Sequence, residues 1–407
     1  MANYFKFKIQ QKLPRSLARA GIISTPNGDI ETPAFIIGGT KATVKGLTND
    51  QIKASLAQAI LVNTYHLMLQ PGVEVLVKSE GINNFMGWDK PTFSDSGGFQ
   101  VFSLGMAFKK GLDLTSSSIK GDPKHARHTK SQLAQINDDG ATFRSHLDGT
   151  QYYITPEISM QLQHKIGANI HMAFDELTSP LASNEYIKTA MDRTHQWAKR
   201  SLNEHKKLNL NNTKKQALFG VVQGARIEQY RKESAQFLNS LDFDGFGIGG
   251  IFEPQEIMQV LEWTNNILDP NRPRHLLGMG SGPIDLFLGV EMGIDTFDCV
   301  APTRQARNGA LYTYEGRINI KNSRFKDDFG PIDPDCSCDC CLNYTKAYLN
   351  HLFHAHEMLG PILGSIHNEY FVISTVDKIR QSILDGTFYK YKKDFILRYY
   401  QQEIDQF

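Results

Sequence analysis

No stretch of this sequence stays apolar for the ~18–20 residues that a membrane-spanning helix requires. The opening MANYFKFKIQQKLPR also lacks the apolar core of a secretory signal. Charge of neither sign dominates. Lys and Arg number 44 against 43 Asp and Glu, and the net charge of +1 excludes a polycation that holds nucleic acid by bulk charge, though not a local basic patch. Cysteine is scarce, five in 407 residues, and four of the five fall between Cys336 and Cys341, which excludes a secreted disulfide framework. Internal repeats and low-complexity tracts are lacking as well. These absences lead to the expectation of a reduced, cytoplasmic protein with no membrane partner. The length allows two or three average domains, or one large α/β barrel with an appendage.

What is present is a rhythm. Short apolar runs recur as PAFIIGG (33–39), AILVN (59–63), TFSDS (92–96), IHMAFDE (170–176), ALFGVVQG (217–224), FGIGGI (246–251), HLLGMG (275–280) and TFDCV (296–300). Helical patterning follows them, as in LTNDQIKASLAQA (47–59) and TPEISMQLQHKIG (155–167), where a Thr cap precedes first-turn acids and apolar positions three or four apart. Eight strands alternating with helices point to a (β/α)8 TIM barrel, with an open doubly wound sheet as the alternative. The long polar stretch 130–157, with turn signals at DDG and LDG, reads as an inserted β-hairpin region. After residue 310 the rhythm breaks into a hairpin, a cysteine loop and a pair of helices. The expected division is a catalytic barrel over 1–312, a zinc-binding subdomain over 313–370, and C-terminal helices over 371–407 that pack back on the barrel.

Catalytic groups in such barrels sit at the C-terminal ends of strands. Here Asp95 ends the third candidate strand, Asp175 and Glu176 the fourth, Gln223 the fifth, Gly249 and Gly250 the sixth, and Asp298 the eighth. A single such Asp is ordinarily a helix cap or loop anchor, but several converging on one rim suit displacement at an anomeric carbon, one carboxylate attacking and the other moving the proton. A glycosidase or a glycosyltransferase fits that pattern. In SDSGGFQVFSL (94–104), Gly97 and Gly98 would let a planar ligand approach backbone amides, with Phe99 to stack on it; a tight turn with a core Phe is the other reading. GFGIGG (245–250) is not a dinucleotide fingerprint.

The cysteines form C-x-C-x-x-C at Cys336, Cys338 and Cys341, and with His367 they make a closed, structural Zn²⁺ site; Cys340 and His351, His354 and His356 offer substitutes. From Arg304 to Lys326 there are six basic residues against one acid, Glu315. That run suits either a phosphate-backbone track toward an active site or a solvated face.

Taken together, GTKATVKGL (39–47), NTYHLMLQPG (63–72), SDSGGFQVFSL, TFRSHLDG (142–149), MAFDE (172–176), VVQG (221–224), FGIGG, FDCVAPTRQARNG (297–309) and the cysteine motif with its later histidine resemble the tRNA-guanine transglycosylase family, bacterial type, over nearly the whole chain. The resemblance implies a TIM barrel with a zinc subdomain, and exchange of the wobble guanine of tRNA for a 7-deazaguanine base. It implies Asp298 as the nucleophile on ribose C1′ and Asp95 as the general acid and base. It assigns Asp175, Gln223, Gly249, Gly250, Ile251 and Leu277 to the base pocket and Phe99 to stacking. Arg304 and Arg307 would contact the anticodon stem-loop, and Cys336, Cys338, Cys341 and His367 would hold zinc. It further implies a homodimer.

Departures from the family pattern cluster around the base's 7-substituent. Leu177 stands where bacterial members that insert the aminomethyl base usually carry Cys. GGIFEPQE (249–256) replaces the usual GGL-(Ser/Ala)-V-G-E, Leu277 replaces Met, and GMGSGP (278–283) carries an extra residue. Both catalytic carboxylates remain, so exchange is expected to persist, with queuine or 7-aminomethyl-7-deazaguanine as the incoming base. The alternatives are a non-catalytic tRNA-binding subunit, which would be expected to have lost one carboxylate, and a two-carboxylate glycoside hydrolase, which would leave the basic run and cysteine loop unexplained.

Overall fold

The computed structural model describes residues 4–99, 134–252, 254–278 and 282–401. All eight apolar runs form parallel strands: Ala34–Gly38, Ile60–Val62, Thr92–Ser94, Ile170–Met172, Ala217–Val222, Gly245–Ile248, Arg274–Leu276 and Thr296–Cys299. They pair in chain order and close, the last strand joining the first with Asp298 beside Ile36. The closed barrel decides against the open sheet.

The runs read as near-continuously apolar because both faces of each strand are buried. Ala217, Phe219 and Val221 point into the barrel with Ile36, Phe93, Ile170 and Met172, whereas Leu218 and Val222 join the layer beneath the helices. An antiparallel sheet of Lys6–Lys12, Arg19–Thr25 and Gly28–Thr32 contributes Ile23 and Ile30 to the interior cluster. The buried, bidentate Arg19–Asp295 pair ties this sheet to the foot of the last strand.

Thr48 and Thr155 cap helices as expected, the first with a complete capping box. The first helix spans only Asn49–Ala54, shorter than its pattern suggested, because the chain reverses through Leu56 at φ +68° to enter the next strand. The insertion is a three-stranded antiparallel sheet of Ala134–Ile136, Ala141–Arg144 and Gln151–Ile154, one strand more than a hairpin; residues 130–133 lie outside the described residues. Past the barrel come a hairpin (Ala310–Thr313, Gly316–Asn319), the cysteine loop, and helices Asp339–Asn343, Lys346–His354, Leu359–Leu384 and Phe388–Tyr400. Leu359–Leu384 runs unbroken through position 370, so the boundary drawn there falls inside one helix that serves both C-terminal segments. Among the described residues no helix is long and apolar enough to cross a membrane.

Behind the fourth strand, His164, His171 and His205 lie against one another: the His164 and His171 rings stack at 5.2 Å, and His164 Nε2 is 3.0 Å from His205 Nδ1. Burial lowers His164 to about 4 and His205 to about 3, and pushes His171 well below its ordinary value. In the unfolded chain these rings titrate near ~6.5. The folded state therefore binds fewer protons, and its stability is fully present above that value and is lost as pH falls toward the folded values. Thermal melts should show a lower Tm at pH 5 than at pH 7, with the drop reduced in His164→Gln/His205→Gln. Superimposable pH curves for the two proteins would exclude this assignment.

Candidate active site and metal centre

The third strand ends one residue before Asp95, which is partly buried at the barrel mouth. Its carboxylate accepts from the Asn63 side-chain amide, from the Thr64 amide at 2.9 Å and from the Gly97 amide at 3.2 Å. Asn63 also caps the helix Thr64–Leu69, its Oδ1 accepting from His66 N at 2.9 Å, so one residue starts the helix and grips Asp95. Burial pushes the Asp95 carboxyl up to about 7; the charges of Asp298 and Asp175 add to the rise, against the Thr64 and Gly97 hydrogen bonds. A carboxyl so placed can both give and take a proton near neutral pH.

Asp298 lies in the last strand and is partly buried. Its Oδ1 accepts from Gly278 N at 3.0 Å and lies 3.2 Å from His275 Nε2. His275 is fully buried, with Nδ1 2.9 Å from Thr296 Oγ1 and its ring stacked on Phe93 at 5.5 Å.

Asp175 and Gln223 meet across adjacent strands, Gln223 Nε2 donating to Asp175 Oδ2 at 2.7 Å, while Ser96 Oγ donates to Asp175 Oδ1 at 3.1 Å. Burial raises the Asp175 carboxyl. Glu176, its neighbour, turns the other way and is held by Arg193 and by the Tyr186 hydroxyl at 2.6 Å. The two acids that looked alike at the end of one strand thus serve different purposes.

The glycine pair does not offer free amides. Gly97 N donates to Asp95, Gly98 N donates to Ser96 Oγ at 3.1 Å, and a Cβ at Gly98 would stand 2.5 Å from the Asp175 carbonyl. Gly98 is glycine because Asp175 packs against it. At Gly249 a Cβ would lie 2.5 Å from Gln223 Nε2, the end of a side chain that donates to Asp175. Phe99 is 46% exposed, a face available for stacking, whereas Gln100–Leu104 lie outside the described residues.

Beyond Gly250, the Ile251 carbonyl lies 3.4 Å from Arg226 Nε, and Arg226 pairs with Glu256 at 3.0 Å. Arg231 bonds the Ala225 and Val222 carbonyls and lies 4.8 Å over the Phe252 ring. Leu177 is buried and Leu277 partly buried; Glu253 and Met279–Ser281 lie outside the described residues.

Arg304 and Arg307 lie three apart on the helix Ala301–Arg307, which starts just after Asp298. Lys41 and Lys45 join them from the loop after the first strand. Burial lowers Lys45, and the charges of Arg307, Lys41 and Arg304 lower it further, the signature of crowded cations. Arg317 reaches the same helix through Gln305 at 3.5 Å. Arg324 instead lies over Phe325, and Lys321 over Phe353.

Cys336, Cys338, Cys341 and His367 form a buried cluster that could hold a metal ion. Their sulfurs lie 3.6, 3.5 and 3.3 Å from His367 Nδ1. A tetrahedral Zn²⁺ with bonds of about 2.3 Å to sulfur and 2.0–2.1 Å to nitrogen needs S···N edges of roughly 3.5 Å, so the donor set fits. His367 Nε2 lies 2.5 Å from the Tyr312 carbonyl; donating there, it leaves Nδ1 free to ligate. Cys340 is fully buried in the adjoining core, where burial raises its thiol, and His354 bonds the Lys321 carbonyl. Asn368, next to His367, accepts from Tyr312 N at 3.0 Å and donates to the Pro302 and Ala310 carbonyls, so the helix that carries His367 grips both ends of the Arg304–Arg307 segment.

Asn63, Thr64, Lys41, Lys45 and His275 were not singled out from sequence. The first four lie inside NTYHLMLQPG and GTKATVKGL, directly after strands; His275 was hidden as one polar residue in an apolar run.

Comparison with known proteins is consistent along the chain. The family model for queuine tRNA-ribosyltransferase matches residues 15–401. Proteins named queuine tRNA-ribosyltransferase from Thermoanaerobacter sp. and Caldanaerobacter subterraneus subsp. tengcongensis are each 42% identical to it, over 402 and 398 residues. These alignments cover 98% and 97% of this chain, and 99% and 98% of the relatives. A third, from Anoxybacillus flavithermus, is 42% identical over 397 residues, covering 97% of this chain and 96% of the relative.

Proposed function

The chain belongs to the queuine tRNA-ribosyltransferase family, and we propose that it exchanges the wobble guanine of tRNA for a 7-deazaguanine base through a covalent aspartyl–RNA intermediate. The observation that carries this reading is the pair of carboxylates at one barrel mouth, Asp95 raised to about 7 and Asp298 bound through one oxygen only among the described residues.

Asp298 attacks ribose C1′. The C1′–N9 bond breaks, its electron pair passes to N9 of guanine, and protonated Asp95 gives N9 its proton. An incoming base then loses its N9 proton to Asp95, N9 bonds C1′, and the C1′–O bond breaks to restore the Asp298 carboxylate. Phe99 stacks on the base, and Asp175, Gln223 and the Gly249–Gly250 backbone read its purine-like edge. Arg304 and Arg307, with Lys41 and Lys45, take backbone phosphates of the anticodon stem-loop. Cys336, Cys338, Cys341 and His367 hold Zn²⁺ as a structural ion. The barrel does the chemistry, and the cysteine loop with the helices from Asp339 to Tyr400 braces it. The cytoplasmic location and the homodimer rest on the family resemblance alone.

Asp298→Ala should give no covalent band on a denaturing gel after incubation with tRNA and a 9-substituted base analogue, while tRNA binding stays near wild type. A band that survives the substitution, or none in wild type, contradicts the reading; a glycoside hydrolase or a passive tRNA-binding subunit would give none.

Of queuine and 7-aminomethyl-7-deazaguanine, queuine is the first candidate for the incoming base, because Leu177 and the sequence GGIFEPQE (249–256) replace the residues usual beside an aminomethyl group. Displacement of labelled guanine from tRNA should therefore be efficient with queuine. Efficient displacement by the aminomethyl base and none by queuine would overturn this choice. Cys338→Ser should lose the zinc and lower the Tm, because binding energy at such a site is also folding energy. Full stability in chelator would contradict a structural zinc.

A further inference from the structure

We propose that His275 is a positioning residue for Asp298, selecting which carboxylate oxygen attacks and keeping the resulting ester breakable; this rests on the transglycosylase reading above. The observation is one-sidedness. His275 Nε2 at 3.2 Å and Gly278 N at 3.0 Å both address Oδ1, and among the described residues no hydrogen bond reaches Oδ2. An ionised carboxylate can only accept, so Nε2 carries a proton. In the neutral ring Nδ1 is then the acceptor for the Thr296 hydroxyl at 2.9 Å, which fixes the tautomer, and the stack on Phe93 fixes the ring plane. The ring is fully buried, so water does not compete for Nε2.

With Oδ1 taken by these two donors, Oδ2 is the oxygen that bonds C1′. In the ester, Oδ1 becomes the carbonyl oxygen and keeps both donors, but these bonds are weaker than those to the carboxylate. When the incoming base's N9 bonds C1′ and the C1′–Oδ2 bond breaks, its electron pair returns to the carboxylate and is shared onto Oδ1, where the two donors already point. The His275 donor thus favours breakdown of the adduct more than its formation.

Single-turnover assays on the full chain with tRNA should separate adduct formation from its breakdown by added base. His275→Phe keeps a ring against Phe93 but loses the donor, and should still form adduct while breakdown slows on the order of 10-fold, so adduct accumulates. His275→Gln, whose Nε2 can stand in for the imidazole Nε2, should restore breakdown to within about 3-fold of wild type. Thr296→Val removes the hydroxyl that orients the ring and should slow breakdown even if the Phe variant does not fold. Wild-type breakdown in folded His275→Phe or Thr296→Val would overturn the assignment, as would a folded Gln variant no better than Phe. Absence of adduct in the wild-type chain would instead overturn the transglycosylase reading itself, so the two failures are distinct.

Discussion

The site depends on the parallel pairing of the first barrel strand with the last. Thr296–Cys299 lies against Ala34–Ile37, closing a barrel whose ends are far apart in the chain. That closure brings Asp298 to the same rim as Asp95, and Arg304 and Arg307 to the same side as Lys41 and Lys45. Without it the acids would end unrelated strands. The Arg19–Asp295 pair reinforces the seam from below, because Asp295 also accepts from the Arg274 amide at the foot of the neighbouring strand.

A second constraint is the long helix Leu359–Leu384. It carries His367 of the cluster that could hold a metal ion, and the adjoining Asn368 bonds the backbone on either side of the Arg304–Arg307 segment. His367 and Asn368 thus reach, through the Tyr312 and Pro302 carbonyls, the segment that follows the last barrel strand.

The electrostatics of the mouth follow from burial. Asp95 and Asp175 are raised because they lose water, and each is held by neutral donors, Asn63, Thr64 and Gly97 for one and Gln223 and Ser96 for the other. An arginine in either place would have kept the carboxyl ionised. Among the described residues neither Asp95 nor Asp175 has the direct arginine partner that Glu176 has in Arg193. A near-neutral chain can in this way carry a crowded cationic strip beside two reluctant carboxylates, with opposite charges balanced elsewhere on the surface.

Strand positions and helix caps were legible in sequence because each rests on local chemistry, and the cysteine motif pointed to the buried Cys336, Cys338, Cys341 and His367 cluster that could hold a metal ion. Strands buried on both faces read as short apolar runs, Thr before acids starts a helix, and three cysteines within six residues have few other uses. Tertiary structure alone decided what each polar group faces. It assigned Asp175 to the mouth and Glu176 to an ion pair, turned the Gly97 and Gly98 amides inward, gave Asn63 its grip on Asp95 and placed His275 on Asp298. The contacts of Asn63 with Asp95, of Gln223 with Asp175 and of His275 with Asp298 have no local signature, because each joins residues at or beside the ends of different strands, which meet only when the barrel closes.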